Sequence, residues 1–250
     1  MDRKMKRRRS TSATVYVPIA ALLVLFLMIY GTSAFLKIIE IEVEGVTRYS
    51  KAEIISAAGI GFGENLMLVD RVDAQRRIIT ELPYISDVKI TRTMPDTVHI
   101  AVRESVPIAG IAFKGAVAVI DSAGKVLRLD DEPQAGLIEV RGFQPSDASV
   151  GSVLKSGADS ETKMKYMIQM LSAIEDAGIT KDVTFLDVAS IANISLDFLE
   201  RRVLLGGPED AKSKLMELPE RIAEINSKSP DDKAGVFNMS HRPWRWEPDR

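Results

Sequence analysis

VKITRTMPDTVHIAVR, residues 88–103, alternates apolar and polar side chains on both sides of a short turn. Alternation with a period of two residues is typical of a half-buried strand. Pro95 and Asp96 favour a tight turn between two such strands. The stretch therefore predicts a β-hairpin with strands at Val88–Thr93 and Thr97–Arg103.

The residues before the hairpin predict one strand and two helices. The segment Ile39–Glu44 alternates isoleucine or valine with glutamate, which is the pattern of a further strand. Ser50 is followed three residues later by Glu53, a capping box that predicts the start of a short helix. A second amphipathic helix is expected at Asp70–Leu82, directly before a proline. The order β-α-α-β-β predicts a small domain at 37–107.

The residues after the hairpin predict a second domain at 108–240, a sheet backed by helices. Strands are expected at 117–120, 125–129, 137–140, 183–188, 194–198, 202–205 and 234–240, and helices at 160–176 and 209–226. Pro219 lies inside the second of these helices and is expected to kink or split it. The mixture of strands and helices predicts the fold class α+β. About 210 residues suffice for two modest hydrophobic cores, which agrees with two domains.

An uncharged stretch lies near the start of the chain. Six of the first nine residues are Lys or Arg, and no residue from Ser10 to Leu36 is a Lys, Arg, Asp or Glu. A helix over 15–36 would reach about 33 Å, enough to cross the core of a bilayer. The sequence therefore predicts a basic cytoplasmic tail at 1–14 and a membrane-spanning helix at 15–36 that contacts the lipid bilayer.

The flanking charges predict the orientation of this helix. Lys and Arg stay on the cytoplasmic side of a first membrane helix, so we expect a single-pass type II arrangement with residues 37–250 outside the cytoplasm. A cleaved signal peptide has the same basic start, and Thr32-Ser33-Ala34 is an acceptable cleavage site. The apolar region of a signal peptide spans only about 7–15 residues, whereas the uncharged run Val15–Tyr30 of this chain alone has 16. The length of the run favours an uncleaved anchor.

Composition excludes several classes of function. The chain has no cysteine, so neither a disulfide framework nor a thiolate metal site is possible. The chain has 33 basic and 35 acidic residues. The first nine positions hold six of the basic residues and one of the acidic ones, so the rest of the chain is net acidic. A net-acidic domain without a basic stripe argues against nucleic-acid binding.

The sequence also lacks the common motifs of catalysis and cofactor binding. Its two histidines are His99, inside a predicted strand, and His241, in the C-terminal tail, which disfavours a His-based metal site or a Ser-His-Asp triad. The glycines at 59, 61 and 63 follow a helix and lack the Lys-Ser/Thr pair of a phosphate loop, so a turn is expected there. We expect no catalytic residue, no metal and no cofactor.

The end of the chain holds the main candidate for binding. A terminal strand at 234–240 can lie at the edge of a sheet, where unpaired backbone groups accept an extended segment of a partner. An equal alternative is that the edge is covered or protected by the protein itself and binds no partner. The tail at 241–250 contains both tryptophans, Trp244 and Trp246. They either contact a partner, as tryptophans often do at interfaces, or belong to a tail that packs back loosely on the domain or stays disordered.

Six segments carry a resemblance to a known family: the Val-Glu-Gly end of the first strand, Ser50–Ile54, Glu64-Asn65-Leu66, Glu81–Ile85, Arg92–Thr97 and Val102–Pro107. Together they resemble a POTRA domain, and more narrowly that of the FtsQ/DivIB family of bacterial cell-division proteins. The order of anchor, POTRA domain and second domain is also that of the family. Arg202–Gly206 followed by Lys212 and Lys214 is similar to a strand, glycine and basic helix of the family's β domain.

The resemblance implies a non-enzymatic scaffold of the divisome that links division proteins outside the cytoplasm and helps to control septal peptidoglycan synthesis. Its partners would be small coiled-coil membrane proteins of the FtsB/DivIC and FtsL type and, through them, septal wall synthases. It would lie in the cell membrane at the division septum. Carried over to this sequence, the partner-binding residues are Val236, Phe237, Asn238, Met239, Trp244 and Arg202. The hairpin at Arg92–Asp96 is a second candidate docking surface.

Two other classes of function stay open on the sequence alone. One is a POTRA-bearing factor in protein export or envelope assembly. The other is a membrane-tethered wall enzyme, which would need acidic side chains that converge in a deep pocket.

Overall fold

The structure, a computed structural model, describes residues 11–228 and 235–247. The side chains at 11–15, 28–30, 32–35 and 228 are outside the described residues, as are residues 1–10 of the predicted basic tail and the first residue of the predicted strand at 234–240. The chain divides into two compact units. The first comprises Met1–Arg77 and Val88–Val102, and the second comprises Ile78–Asp87 and Arg103–Arg250.

The elements confirm a mixed α+β chain in which the predicted β-α-α-β-β order is followed by further strands and helices. The helices are α1 (Thr11–Phe35), α2 (Lys51–Ala58), α3 (Arg71–Glu81), α4 (Glu161–Asp176) and α5 (Ala211–Lys228). The strands are β1 (Glu40–Glu44), β2 (Ile85–Thr93), β3 (Thr97–Glu104), β4 (Ala109–Phe113), β5 (Ala116–Ile120), β6 (Val126–Asp130), β7 (Ile138–Arg141), β8 (Val183–Asp187), β9 (Ile194–Phe198), β10 (Arg201–Gly206), β11 (Val236–Asn238) and β12 (Arg245–Glu247).

Helix α1 covers most of the uncharged stretch and contains Pro18. Over the residues that the structure describes, no helix has both the length and the apolar character needed to span a membrane. The membrane-spanning segment at 15–36 is therefore not confirmed and stays a prediction.

The first unit is built on a three-stranded sheet in the order β1-β3-β2. β1 runs parallel to β3, beginning with Glu40 opposite Thr97. Alternate side chains of these strands face the interior, so Val43, Val98 and Ile100 are buried while the glutamates of β1 are exposed. The alternation that predicted the strands thus separates the core from the solvent.

Helix α2 begins at the predicted capping box. The backbone N–H of Glu53 donates to Ser50 Oγ at 3.3 Å, and the backbone N–H of Ser50 donates to Glu53 Oε2 at 2.8 Å. The hydroxyl and the backbone N–H of Ser50 both hold the pKa of the Glu53 carboxyl below its ordinary value. Gly59 ends the helix in the left-handed conformation, at φ 59°, which confirms the predicted turn.

The second unit is built on a nine-stranded sheet in the order β12-β11-β10-β9-β8-β7-β4-β5-β6. The pairs β10–β11, β4–β7 and β7–β8 are parallel, and the other pairs are antiparallel. Strands β4 and β12 are absent from the sequence-based prediction, whereas the other strands lie close to their predicted positions. One end of this sheet is therefore formed by β10, β11 and β12.

Helices α4 and α5 contribute the helical part of the core of the second unit. Their buried side chains are Met167, Met170, Leu171, Ala173 and Ile174 of α4, and Ala211, Leu215, Leu218 and Ile222 of α5. Helix α5 is continuous from Ala211 to Lys228, so it is not split at Pro219, and the alternative expectation of a kink stays a prediction. Pro219 has no N–H to donate to the carbonyl of Leu215, four residues earlier, and its own ring is exposed.

A buried lysine organises the polar interior of the second unit. Lys125 Nζ donates to the carbonyl oxygens of Ile79 and Ile85 at 3.0 and 2.7 Å. Its backbone N–H donates to Asp121 Oδ1 at 2.9 Å, and the hydroxyl of Ser105 donates to Asp121 Oδ2 at 2.8 Å. Burial lowers the pKa of the Lys125 amine, and the nearby Asp121 carboxylate opposes that shift.

Candidate partner-docking site

The candidate site lies at the end of the nine-stranded sheet. β11 runs parallel to β10, with Arg202 opposite Val236 and Val203 opposite Phe237. On its other side β11 pairs antiparallel with β12, and Phe237 is opposite Trp246. The chain therefore returns on itself after β11 and adds one further strand to the sheet.

The structure decides between the two alternatives for the strand at 234–240. β11 is paired on both sides, so the expectation that this strand lies at the edge of the sheet is wrong. The edge belongs to β12, whose sequence Arg245-Trp246-Glu247 alternates exposed, partly buried and exposed side chains. Within 11–228 and 235–247, β12 pairs with β11 alone.

Alternation along β11 separates the predicted contact residues into two groups. Phe237 and Met239 are buried in the core, with 4 % and 0 % of their surface exposed. Val236 and Asn238 are half-buried on the opposite face. Asn238 Oδ1 accepts from the backbone N–H and the hydroxyl of Ser240, at 3.1 and 2.6 Å. Phe237 and Met239 thus act in packing, whereas Val236 and Asn238 are reachable.

Trp246 attaches the edge strand to the rest of the unit. Its ring lies over the guanidinium of Arg201, with 4.9 Å between the guanidinium carbon and the ring centroid. Arg201 is 1 % exposed, and its Nε donates to Asn226 Oδ1 at 2.7 Å. A buried guanidinium needs such partners because an unpaired charge in the interior is costly. Arg201 therefore links β10, α5 and β12.

Trp244 has a comparable environment closer to the surface. The guanidinium of Arg242 lies 4.7 Å from its ring centroid, and Arg242 also reaches Glu217 Oε1 of α5 at 3.5 Å. Trp244 and Trp246 are partly buried and pack against the core of the second unit. The tail at 241–247 is therefore packed back on the domain.

A groove of about 780 Å³ lies between α5 and this tail. Its apolar lining includes Ile225, Phe237, Pro243, Trp244 and Trp246, and its charged lining includes Glu217, Arg221, Glu224 and Arg242. Arg221 contacts Glu217 and Glu224 at 3.9 and 3.5 Å, so the charged side chains form a rim of exposed ion pairs. An apolar floor with a polar rim is the usual composition of a protein interface.

The structure brings together most of the residues that the resemblance marked. Arg202 is exposed next to half-buried Val236, and Trp244 lines the groove together with Phe237. Trp246 was noted as a residue of the tail but is not among the partner-binding residues carried over from the family, and the α5 residues of the groove were not among them either. The spacing of Trp244 and Trp246 around an exposed arginine was the available signal for β12, because alternation predicts a strand.

The remaining polar candidates do not form a second site. His99 lies on β3, with its ring nitrogens 3.9 Å from Glu42 Oε2 and 3.8 Å from Glu44 Oε1. Among the described residues, no group of three or more His, Cys, Asp or Glu side chains could hold a metal ion. His241 is exposed in the tail.

Comparison with known proteins gives the relationship of the chain. The family model of the POTRA domain, FtsQ-type, matches residues 36–105. The chain is 27 % identical to the cell division protein FtsQ of Corynebacterium glutamicum, over 77 % of this chain and 82 % of that protein. It is 28 % identical to FtsQ of Streptomyces griseus, over 83 % of this chain and 95 % of the relative.

A third relative carries the other name of the family. The cell division protein DivIB of Clostridium tetani is 24 % identical, over 70 % of this chain and 65 % of the relative. The resemblance to the FtsQ/DivIB family that the sequence predicted is confirmed.

Proposed function

We propose that this chain, a POTRA-bearing relative of the FtsQ and DivIB division proteins, is a non-catalytic scaffold of the bacterial divisome. It joins division proteins outside the cytoplasm and helps to control septal peptidoglycan synthesis. The observation that carries the proposal is the FtsQ-type POTRA match at 36–105 together with relatedness to FtsQ proteins over 77–83 % of the chain. That relationship covers more of the chain than the 70 residues of the POTRA match, so it extends into the second unit.

The proposal includes a membrane anchor at 15–36 with the N-terminus in the cytoplasm, and a location in the cell membrane at the septum. It is supported by the six basic residues among the first nine and by the absence of Lys, Arg, Asp and Glu from Ser10 to Leu36. Helix α1, at Thr11–Phe35, covers most of that stretch. The residues from 37 onward then face partners that are anchored in the same membrane.

The proposed partners are small coiled-coil division proteins of the FtsB/DivIC and FtsL type, which in turn contact the septal wall synthases. We place their docking at the outer edge of β12 and in the adjoining groove. An extended segment can add to β12 through main-chain hydrogen bonds, which depend little on sequence. Apolar side chains of that segment would enter the groove lined by Ile225, Trp244 and Trp246.

The division role is tested by depletion of the protein with imaging of living cells. Because a scaffold is needed to assemble the septal machinery, depleted cells are expected to grow into filaments without septa. Re-expression of the full chain restores septation in the same cells. Normal septation after verified depletion would overturn the proposed role.

The docking site is tested by photo-crosslinking in the full chain. A photoreactive amino acid replaces Arg245, an exposed residue of the edge strand β12. The matched control replaces Leu129, an exposed residue of β6 at the opposite end of the same sheet. Crosslinks to the coiled-coil partners from position 245 and not from position 129 support the site. The reverse pattern contradicts the site but leaves the division role standing.

A further inference from the structure

The first unit exposes large apolar side chains outside helix α1. They are Ile39, Phe62, Met67, Leu68, Val72 and Met94, with exposed fractions of 50–81 %. Isolated apolar residues on a surface are normal, whereas a contiguous set indicates an interaction.

Backbone hydrogen bonds hold the loop at 62–68 next to the end of α1. The N–H of Leu66 donates to the carbonyl of Leu36 at 2.7 Å, one residue after the helix ends. Ile38 donates to the carbonyl of Glu64 at 2.9 Å and accepts from the N–H of Gly63 at 2.8 Å. Phe62, Met67 and Leu68 are therefore exposed within a few residues of these contacts.

The hairpin between β2 and β3 is held at the same place. The N–H of Ile39 donates to the carbonyl of Asp96 at 2.9 Å. Because β1 is parallel to β3, the start of β1 and the turn that carries Met94 lie at one end of the sheet. Arg92 also donates to the carbonyl of Val69, which places the start of α3, with Val72, near this end.

The opposite end of the first unit has a different surface. β1 ends at Glu44, and the loop at 45–50 leads to Lys51, the first residue of α2. Among the described residues of the first unit, none of the exposed large apolar side chains lies on that loop. The six residues are therefore concentrated at the end that joins α1, which we call the apolar end.

We propose that the apolar end inserts into the surface of the lipid bilayer beside the anchor. The inference rests on the proposed membrane anchor, since α1 then ends in the membrane one residue before the first contact with the loop. The charges of this end are mixed, with exposed Lys37 and Arg71 against exposed Glu40, Glu64 and Asp70. Insertion is therefore driven by apolar burial and needs no anionic lipid.

The test uses the absence of cysteine from the full chain. Single variants Leu68→Cys, Lys51→Cys and Leu23→Cys are labelled with the fluorophore NBD and reconstituted in phosphatidylcholine vesicles. A nitroxide on the upper acyl chain of the lipid quenches a probe that lies about 5–10 Å inside the interface, the depth of interfacial segments. A second set of vesicles carries the nitroxide on the lower acyl chain and quenches a probe deeper in the bilayer, such as the one at position 23. Position 68 reports the apolar end, position 51 the opposite end and position 23 the anchor.

The inference predicts a loss and blue shift of emission at positions 68 and 23 and unchanged emission at position 51. Quenching at 23 without quenching at 68 overturns the insertion while the anchor stands. No quenching at 23 contradicts both the anchor and the insertion. Equal quenching at 51 and 68 also overturns it, because it would show adsorption of the whole unit. Circular dichroism of each variant checks that the fold is kept.

Discussion

Trp246 covers the guanidinium of Arg201, with 4.9 Å between the guanidinium carbon and the centroid of the ring. The arginine is buried on β10, and the tryptophan belongs to the three-residue strand at the sheet edge. This contact makes β12 a partner of a buried charge. The C-terminal tail therefore stabilises the fold of the second unit in addition to forming the candidate docking edge.

Replacement of Trp246 by alanine is expected to lower the free energy of unfolding by at least about 1–2 kcal/mol, the value of a partly desolvated cation–π contact, because the ring's apolar contacts with the core are lost as well. Equilibrium urea denaturation of the full chain in detergent, followed by circular dichroism, measures the change. Arg245→Ala is the matched control, because Arg245 is the exposed neighbour on the same strand and should change stability by less than about 0.5 kcal/mol. Equal effects of the two substitutions would contradict a special role of the tryptophan.

Phe237→Ala is expected to act on stability and only indirectly on partner binding. Its ring is 4 % exposed in the core, so truncation should cost about 3–5 kcal/mol. Val236→Ala on the half-buried face of the same strand should cost less. The two effects are compared by urea denaturation, and by partner pull-down at a temperature where both variants are folded. A stable Phe237→Ala protein that fails to bind would show that this side chain contacts the partner directly.

The first unit was predictable because its signals are local. Alternation over 88–103 and the pair Ser50–Glu53 each depend on a few neighbouring residues, and both were found as predicted. Strand β4 has no such signal, since Ala109, Gly110 and Ile111 are all buried and do not alternate. A short run of buried small and apolar residues is assigned to a strand only by the neighbours with which it pairs.

The candidate site was only partly predictable for a related reason. The sequence identified β11 and the two tryptophans, but the position of β11 in the sheet depends on pairing between distant segments. β12 has three residues in a tail rich in proline and arginine, so local preference for a strand is weak. The α5 wall of the groove follows from tertiary packing, and no local pattern marks Glu217, Arg221 and Glu224 as its lining.

The capping box of α2 is expected to stabilise the fold less at acidic pH than at neutral pH. The hydroxyl and backbone N–H of Ser50 lower the pKa of Glu53, so the folded state favours the ionised carboxylate. Its contribution is present above the ordinary pKa of 4.5 and is lost as pH falls through the lower folded value. Glu53→Gln should therefore lower the melting temperature at pH 7 and have a smaller effect under acidic conditions. A pH-independent difference between the two proteins would contradict this origin.

Lys125→Met tests the buried amine of the second unit. The variant keeps the length of the side chain but leaves the carbonyl oxygens of Ile79 and Ile85 without this donor, so unfolding should become easier by about 1–3 kcal/mol at pH 7. The matched control is Lys155→Met, because Lys155 is exposed and its contact with Asp147 at 3.3 Å is a surface ion pair worth little. Similar losses in both variants would contradict a structural role for the buried position.

The lowered pKa of Lys125 gives this prediction a pH dependence of known sign. Burial depresses the folded pKa below the ordinary 10.5, so between the two values the unfolded chain binds more protons than the folded chain. Below this window both states carry the charge, and the folded state bears the cost of burying it. As pH rises through the window the folded protein loses the proton first, and its stability increases relative to Lys125→Met, which has no titrating group there. Denaturation of both proteins from pH 7 to 10.5 measures the difference, and parallel profiles would show that the amine titrates at its ordinary value despite its burial.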